Sequence, residues 1–197
     1  MRLALLVSLG VALGAGSAAM MLSSGGLGSG LGSETVQGWT GNHLTGAKAA
    51  DPYTRAIVAK TGLLALTQTE AMYFTRSTDE QGRPLNESCV YVLSGGAMPA
   101  RWWSVTIYDA HHYLPVNGQD AQSVDMTRMA TRASPTGRWT ARIAADRGEA
   151  SDWISSKNAG KFSLTLRLYN PQEKARNDFA SIPFPTVKAV SCPRGAA

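Results

Sequence analysis

Hydrophobic and polar residues alternate with a period of two along much of this chain. In residues 102–109, one side carries Trp103, Val105 and Ile107, and the other side carries Trp102, Ser104, Thr106 and Tyr108. Residues 162–169 divide in the same way, with Phe162 and three leucines opposite Ser163, Thr165, Arg167 and Tyr169. Such alternation is typical of strands that bury one face. Each strand is therefore predicted to turn aliphatic side chains toward a core, and hydroxyls and rings outward.

Other segments extend this pattern to a mainly β architecture. Strands are predicted in EAMYFTRST, CVYVLSGG and FPTVKAV, and MTRMATR, SPTG and RWTARIAA together predict a hairpin with its turn at residues 134–137. One helix is predicted from Pro52 to Leu66, because Asp51 can cap it and proline suits the first helical position. One early helix followed by about seven strands favours a jelly-roll-like β-sandwich.

The first residues form an apolar segment with two interpretations. Residues 3–22 suffice for a membrane helix of about 20 residues, and no charged residue occurs in residues 3–33. A cleaved signal peptide fits the small residues Ser17 and Ala19, and would leave a soluble periplasmic protein. We favour an uncleaved anchor, because the apolar run continues to Leu22. Arg2 then stays in the cytoplasm, which predicts a single-pass protein of the cytoplasmic (inner) membrane whose C-terminal domain faces the periplasm.

These observations divide the chain into three regions: an anchor or signal in residues 1–22, a Gly/Ser-rich tether in residues 23–38, and an exported β-sandwich in residues 39–197. Gly10, Gly14 and Ala18 fall on one face of the apolar helix at four-residue spacing. Small residues at this spacing let two membrane helices approach closely, which predicts a homodimer.

The charge and the cysteine content of the chain limit the kinds of partner that it can bind. The net charge of +5 comes without a dense basic tract, so nucleic-acid binding is disfavoured. Five arginines lie within one stretch and are predicted to be a solvated hairpin surface rather than a polyanion site: Arg128, Arg132, Arg138, Arg142 and Arg147. Cys89 and Cys192 are too far apart in sequence for a metal motif, and export predicts that they form a disulfide.

The polar side of the predicted sheet supplies candidate ligand-binding residues. They combine stacking rings with guanidinium groups, and they are Arg101, Trp102, Tyr108, Arg167 and Tyr169. For Arg101, Trp102 and Trp103, a structural role is favoured over ligand binding. In this structural interpretation, Trp103 lies in the core, Trp102 packs under a loop or helix, and Arg101 pairs with an acid such as Glu70 or Asp79.

The sequence assigns no catalytic residue, metal or cofactor. His111 and His112 are adjacent, so an extended chain would point them to opposite faces rather than at one metal ion. Four acids could supply a glycosidase pair, but their spacing selects none and turn or ion-pair roles are favoured: Glu70, Asp79, Asp109 and Asp125. Nucleophile-elbow, Walker-type and dinucleotide motifs are absent from the sequence.

Several motifs together resemble a known family. They are DPYTRA, EAMYF with TDEQGRPL, YVLSGGAMPARWWSVTIYD, Asn117 and FSLTLRLYNP, in this order. These residues resemble the domain of unknown function 1214 over residues 39–190, in a short, membrane-anchored version. Larger relatives carry a further uncharacterised domain before this one. The resemblance implies a jelly-roll-like β-sandwich, and it implies no catalytic mechanism.

The function predicted from these observations is a non-enzymatic binding or structural module of the envelope. Its partners would be the membrane, through the N-terminal helix, and an envelope glycan or protein. The alternative is a carbohydrate-active enzyme that uses carboxylates on the same sheet face. A shallow aromatic surface would favour the first hypothesis, and a deep pocket with two facing acids would favour the second.

Overall fold

The computed structural model describes residues 2–23, 32–60, 62–63, 65–130 and 137–193. The helices are α1 (Arg2–Ser23), α2 (Pro52–Lys60), α3 (Met126–Ala130), α4 (Glu173–Asn177) and a short 3-10 helix (Phe179–Ser181). The first strands are β1 (Ser33–Val36), β2 (Trp39–Asn42), β3 (Ala71–Arg76), β4 (Val90–Gly95) and β5 (Ala100–Asp109). The later strands are β6 (Ser123–Asp125), β7 (Trp139–Ala144), β8 (Trp153–Ser155), β9 (Phe162–Pro171) and β10 (Thr186–Ser191).

The ten strands form two sheets, which confirms the mainly β prediction. A six-stranded sheet has the order β1-β2-β3-β9-β5-β6, and a four-stranded sheet has the order β10-β4-β7-β8. All neighbouring strands pair antiparallel except β7 and β8, which are parallel. The longest strands, β5 and β9, pair at the centre of the large sheet and are those with the clearest alternation in the sequence.

One hydrophobic core fills the space between the sheets. The aliphatic residues of β5 and β9 are fully buried in it, with Val105, Ile107 and Leu166 at 0% exposure. Trp103 of the large sheet stacks on Trp139 of the small sheet, with ring centroids 4.5 Å apart. These contacts confirm the predicted inner face and place Trp103 in the core.

Two local predictions are corrected. The predicted helix begins at Pro52, where Asp51 accepts hydrogen bonds from the backbone N–H groups of Tyr53 and Thr54, but it ends at Lys60. Gly62 has a φ of +63°, outside the helical region. The first arm of the predicted hairpin is wrong, because MTRMA forms α3. Residues 131–136, with most of the predicted turn, lie outside the described residues, and the second arm is β7.

The predicted disulfide is present. Cys89 lies just before β4 and Cys192 just after β10, and these two strands pair side by side in the small sheet. The bond therefore joins the middle of the chain to its C-terminal part across 103 residues.

The apolar helix α1 lies outside the core. Residues 2–20 are long and apolar enough to cross a membrane, with a mean hydropathy of 2.0, and none of that segment is buried. This helix could serve as a membrane anchor or as a signal sequence. The sheet itself begins at Ser33, within the residues 23–38 that the sequence assigns to a tether.

Both α1 and α2 join the large sheet at the same end. The register pairs Ser33 with Asn42, Ala71 with Tyr169, and Tyr169 with Trp102. We call the end formed by these residues the proximal end, because α1 precedes Ser33 and α2 lies between Asn42 and Ala71 in the chain. The opposite, distal end carries the loop of residues 110–122, which follows β5.

Candidate functional site

Four of the five predicted ligand-binding residues share the outer face of the large sheet, which is the face turned away from the core. The register pairs Trp102 with Tyr169 and Ser104 with Arg167, and farther along it pairs Tyr108 with Ser163. Because side chains alternate along a strand, every second residue of β5 and β9 projects to this face. Trp102, Tyr108, Arg167 and Tyr169 are all half-buried there, so each keeps part of its surface accessible.

Two aromatic rings lie side by side at the proximal end of the outer face. The ring centroids of Trp102 and Tyr169 are 5.3 Å apart, and their planes are inclined by 57°. The indole N–H of Trp102 donates to the hydroxyl of Thr127 in α3 at 3.0 Å. Trp102 is therefore held by a helix, as the structural interpretation expects, but its ring is still partly exposed.

Arg167 and Tyr108 form a second pair toward the distal end. A guanidinium N–H of Arg167 donates to the Tyr108 hydroxyl at 2.7 Å, and its central carbon lies 5.4 Å from the centre of the tyrosine ring. Tyr108 pairs in register with Ser163, four residues before Arg167, so the arginine side chain runs lengthwise along the face. Within the described residues no carboxylate lies within 4.0 Å of Arg167, which leaves its positive charge available to an anionic group.

A row of hydroxyl groups crosses the outer face at the register position between Arg167 and Tyr108, so the Arg167–Tyr108 pair spans the row. One residue from each of the six strands contributes, in register: Thr35, Thr40, Thr75, Thr165, Thr106 and Ser123. Neighbouring strands are about 4.8 Å apart, so the row is regular. We call this set the hydroxyl row.

Half of the hydroxyl row has unused hydrogen-bonding capacity. Thr35 and Thr40 bond to each other at 2.8 Å. In the part of the chain that the structure describes, the hydroxyls of Thr75, Thr106 and Thr165 form no side-chain hydrogen bond. Sequence patterns predict the members from β5 and β9, but only the strand order adds Thr35, Thr40 and Thr75 to the same row.

Arg101 is separated from the other four candidates. It lies next to Trp102 in an extended strand, so its side chain points to the opposite face. Arg101 is exposed, and its predicted ion pair does not form. Glu70 instead accepts from the hydroxyl of Thr67 at 2.7 Å, and Asp79 pairs with Arg83 at 2.7 Å.

The four candidate acids all hold local structure. Asp109 accepts from two loop N–H groups, and Asp125 accepts from the backbone N–H of Arg128 at the start of α3. The hydrogen bond from Thr67 lowers the pKa of Glu70. Burial raises the pKa of Asp79, but hydrogen bonds from Arg83 and the backbone outweigh it and hold that pKa below its ordinary value. A glycosidase general acid needs a raised pKa, so neither of these two carboxylates suits that role.

The histidines are dispersed. His43 bonds to Glu34 at 2.9 Å and stacks on Phe179, whereas His111 is exposed on the distal loop and His112 adopts a φ of +66°. Within the described residues, no group of three or more His, Cys, Asp or Glu side chains is arranged to hold a metal ion.

The described arginines of the predicted solvated surface lie in α3 and on or next to β7. Arg128 pairs with Asp152 at 3.3 Å, and Arg142 and Arg147 donate to nearby backbone carbonyls. Arg138 and Arg142 border a groove of about 1050 Å³ together with the acids Glu149 and Asp152. This mixed-charge setting supports the predicted solvated surface for these arginines, although α3 replaces one arm of the expected hairpin. Arg132 lies outside the described residues.

Comparisons with known proteins extend this description. The family model described as "Protein of unknown function (DUF1214)" matches residues 70–173, which include β3, β5 and β9. No curated protein matches the sequence.

Two solved structures are similar to this chain. The VPA0106 protein of Vibrio parahaemolyticus is 26% identical with a TM-score of 0.58, over 73% of this chain and 36% of that protein. An uncharacterized protein from Burkholderia cenocepacia is 14% identical with a TM-score of 0.46, over 61% of this chain and 30% of its own length. The chain thus spans about a third of the length of these two proteins.

Proposed function

The chain belongs to the family of proteins of unknown function DUF1214, and we propose that it is a non-enzymatic binding module of the cell envelope. In this proposal α1 anchors it in the cytoplasmic membrane and its β-sandwich faces the periplasm. The apolar length of α1 and the lone Arg2 at its start support this orientation. Gly10 and Gly14 have no atom near their Cβ positions, so this part of the helix face is open to a second copy, whereas Ala18 is half-buried.

The ligand that best fits the outer face is an envelope glycan with anionic groups. Sugar rings present C–H faces that pack on aromatic rings, as Trp102 and Tyr169 offer at the proximal end. Sugar hydroxyls need hydrogen-bonding partners, which the half-buried members of the hydroxyl row, Thr75 and Thr106, can supply. Arg167 carries an unpaired positive charge that can bind a carboxylate or phosphate. The observation that carries the proposal is this combination of rings, free hydroxyls and one cation on a single face.

Binding to purified envelope polymer tests this function. We expect the full-length protein in detergent to co-sediment with peptidoglycan sacculi, or to bind acidic oligosaccharides on a glycan array. Trp102→Ala should weaken binding about tenfold, the loss of one good contact, because the ring would no longer stack on the ligand.

Tyr113→Ala is the matched control. Tyr113 is 72% exposed on the distal loop, so its removal deletes a surface ring without touching the outer face. Equal binding by wild type and Trp102→Ala would contradict the proposal, as would equal losses from both variants. Release of soluble sugar fragments during the assay would instead support the carbohydrate-active enzyme. Asp125, which lies next to Ser104 in register, would be the first acid to replace.

A further inference from the structure

An apolar groove at the proximal end differs chemically from the outer face. It has a volume of about 420 Å³ and follows α2. Most residues that line it are aliphatic, including Leu44, Ala47, Ala50, Val58 and Ala65. Leu66 and Tyr53 lie nearby with 44% and 36% of their surfaces exposed. An apolar groove of this kind can receive apolar groups such as the ends of acyl chains.

The apolar helix α1 contacts this region directly. The hydroxyl of Ser17 lies 3.1 Å from the hydroxyl of Tyr53 in α2. Ser17 precedes the last residue of α1 by six positions, which is about 9 Å along a helix axis. With α1 across a hydrocarbon layer of about 30 Å, the contact of Ser17 with the Tyr53 hydroxyl lies just inside the edge of that layer, so Tyr53 extends from it toward the membrane interface. Tyrosine is enriched at that depth because its ring is apolar and its hydroxyl is polar.

The charges around the groove fit an anionic surface. Residues 43–70 contain three basic side chains, Lys48, Arg55 and Lys60, and two acidic residues, Asp51 and Glu70, each of which is bonded to a nearby threonine. All three basic residues are exposed. Each basic residue near a membrane that contains anionic lipid contributes about 1 kcal/mol of attraction.

We propose that α2 and the groove beside it form a lipid-docking surface, which binds anionic phospholipid headgroups and the ends of their acyl chains. This docking sets the proximal end of the large sheet against the bilayer. The strands of the sheet then point away from the membrane, and the distal loop lies farthest from it. The inference concerns a different surface from the glycan-binding outer face, and it requires that α1 is retained in the membrane.

Matched labels at the two ends of the sheet test this docking. Leu66 and Leu114 are exposed to similar extents, 44% and 49%, but Leu66 is near the groove and Leu114 is on the distal loop. Both native cysteines are bonded to each other, so Leu66→Cys and Leu114→Cys each add one thiol for an environment-sensitive fluorophore. The full-length protein is reconstituted into vesicles that contain phosphatidylglycerol and nitroxide-labelled lipid.

We expect the label at position 66 to shift to shorter emission wavelengths and to be quenched several-fold more than the label at position 114. Lys48→Glu should reduce quenching at position 66 several-fold, whereas Lys188→Glu, an exposed lysine in the small sheet, should not. Pure phosphatidylcholine should weaken the effect in the same way as Lys48→Glu.

Three results would overturn the proposal. Equal quenching at both positions would show that this end has no preference for lipid. A response at position 66 that depends on protein density rather than on lipid would indicate a second copy as the occupant. A protein that fails to float with vesicles would show that α1 is not an anchor. Trp102→Ala should leave the lipid signal intact, so loss of glycan binding and loss of docking are distinguishable.

Discussion

Trp102 and Trp103 are neighbours in the sequence but belong to two very different surfaces. Trp103 is 3% exposed, stacks on Trp139 and helps to join the two sheets. Trp102 lies half-buried on the outer face, where it meets Tyr169 and donates to Thr127. The pair shows that the large sheet uses its inner face for cohesion and leaves large rings accessible on its outer face.

Polar groups differ between the two surfaces in the same way. Arg76, on the inner side of β3, is only 3% exposed, and it bonds to two backbone carbonyls and pairs with Glu80 at 3.0 Å. Burial of a charge without such partners would be very unfavourable. The outer hydroxyls of Thr75, Thr106 and Thr165 have no such partners within the described residues. The inner layer is therefore satisfied internally, whereas the outer face retains capacity for a ligand.

The largest expected effect is a difference in stability between variants of the two tryptophans. Trp103→Ala should lower the free energy of unfolding by about 3–5 kcal/mol, because it leaves a cavity beside Trp139. Trp102→Ala should cost about 1 kcal/mol, since its ring is only half-buried. Denaturant unfolding of the full-length protein in detergent measures both. Losses of equal size would place Trp102 in the core and remove it from the proposed binding site.

A smaller effect concerns a buried, fully paired acid. Asp79→Asn should cost about 1–3 kcal/mol at neutral pH, because the side chain of Asp79 is 1% exposed and Arg83 would lose its charged partner. The folded-state pKa of Asp79 is depressed, so its contribution is present above the ordinary aspartate pKa and is lost as the pH falls through the lower folded value.

The difference between wild type and Asp79→Asn should therefore shrink in acid, below about pH 4. Unfolding curves at neutral and acidic pH measure this change. Asp146→Asn, at an exposed acid, is the control and should change stability little at either pH. A constant difference across the pH range would show that the charge of Asp79 does not stabilise the fold.

The smallest effect is expected in the hydroxyl row. Thr165→Val should change stability by no more than about 0.5 kcal/mol, because the Thr165 hydroxyl has no partner among the described residues. Thr54 is buried to a similar degree, 3% exposed against 5%, but its hydroxyl donates to Asp51 at 2.6 Å. Thr54→Val should therefore cost about 1 kcal/mol more in the same unfolding assay. A large loss from Thr165→Val would mean that the row is structural.

Alternation predicted the central strands well because each pairs a buried aliphatic face with a polar one. The strand prediction failed at residues 126–130, where Met126 and Met129 are three residues apart, a helical spacing, and MTRMA forms α3. There Asp125 accepts the backbone N–H of Arg128 and starts a helix at the end of β6. The side-chain cap and the three-residue spacing of the methionines both favour a helix in this short segment.

The sequence by itself determined the mainly β class, the apolar N-terminal helix, the disulfide partners and the inward and outward sides of β5 and β9. These features depend on composition and on alternation within single segments, which are local properties. Only the tertiary structure decided which outward residues meet. Strand order and register aligned the six members of the hydroxyl row and brought Arg167 to Tyr108. Such neighbours come from pairing between distant strands, and no period within one strand encodes that pairing.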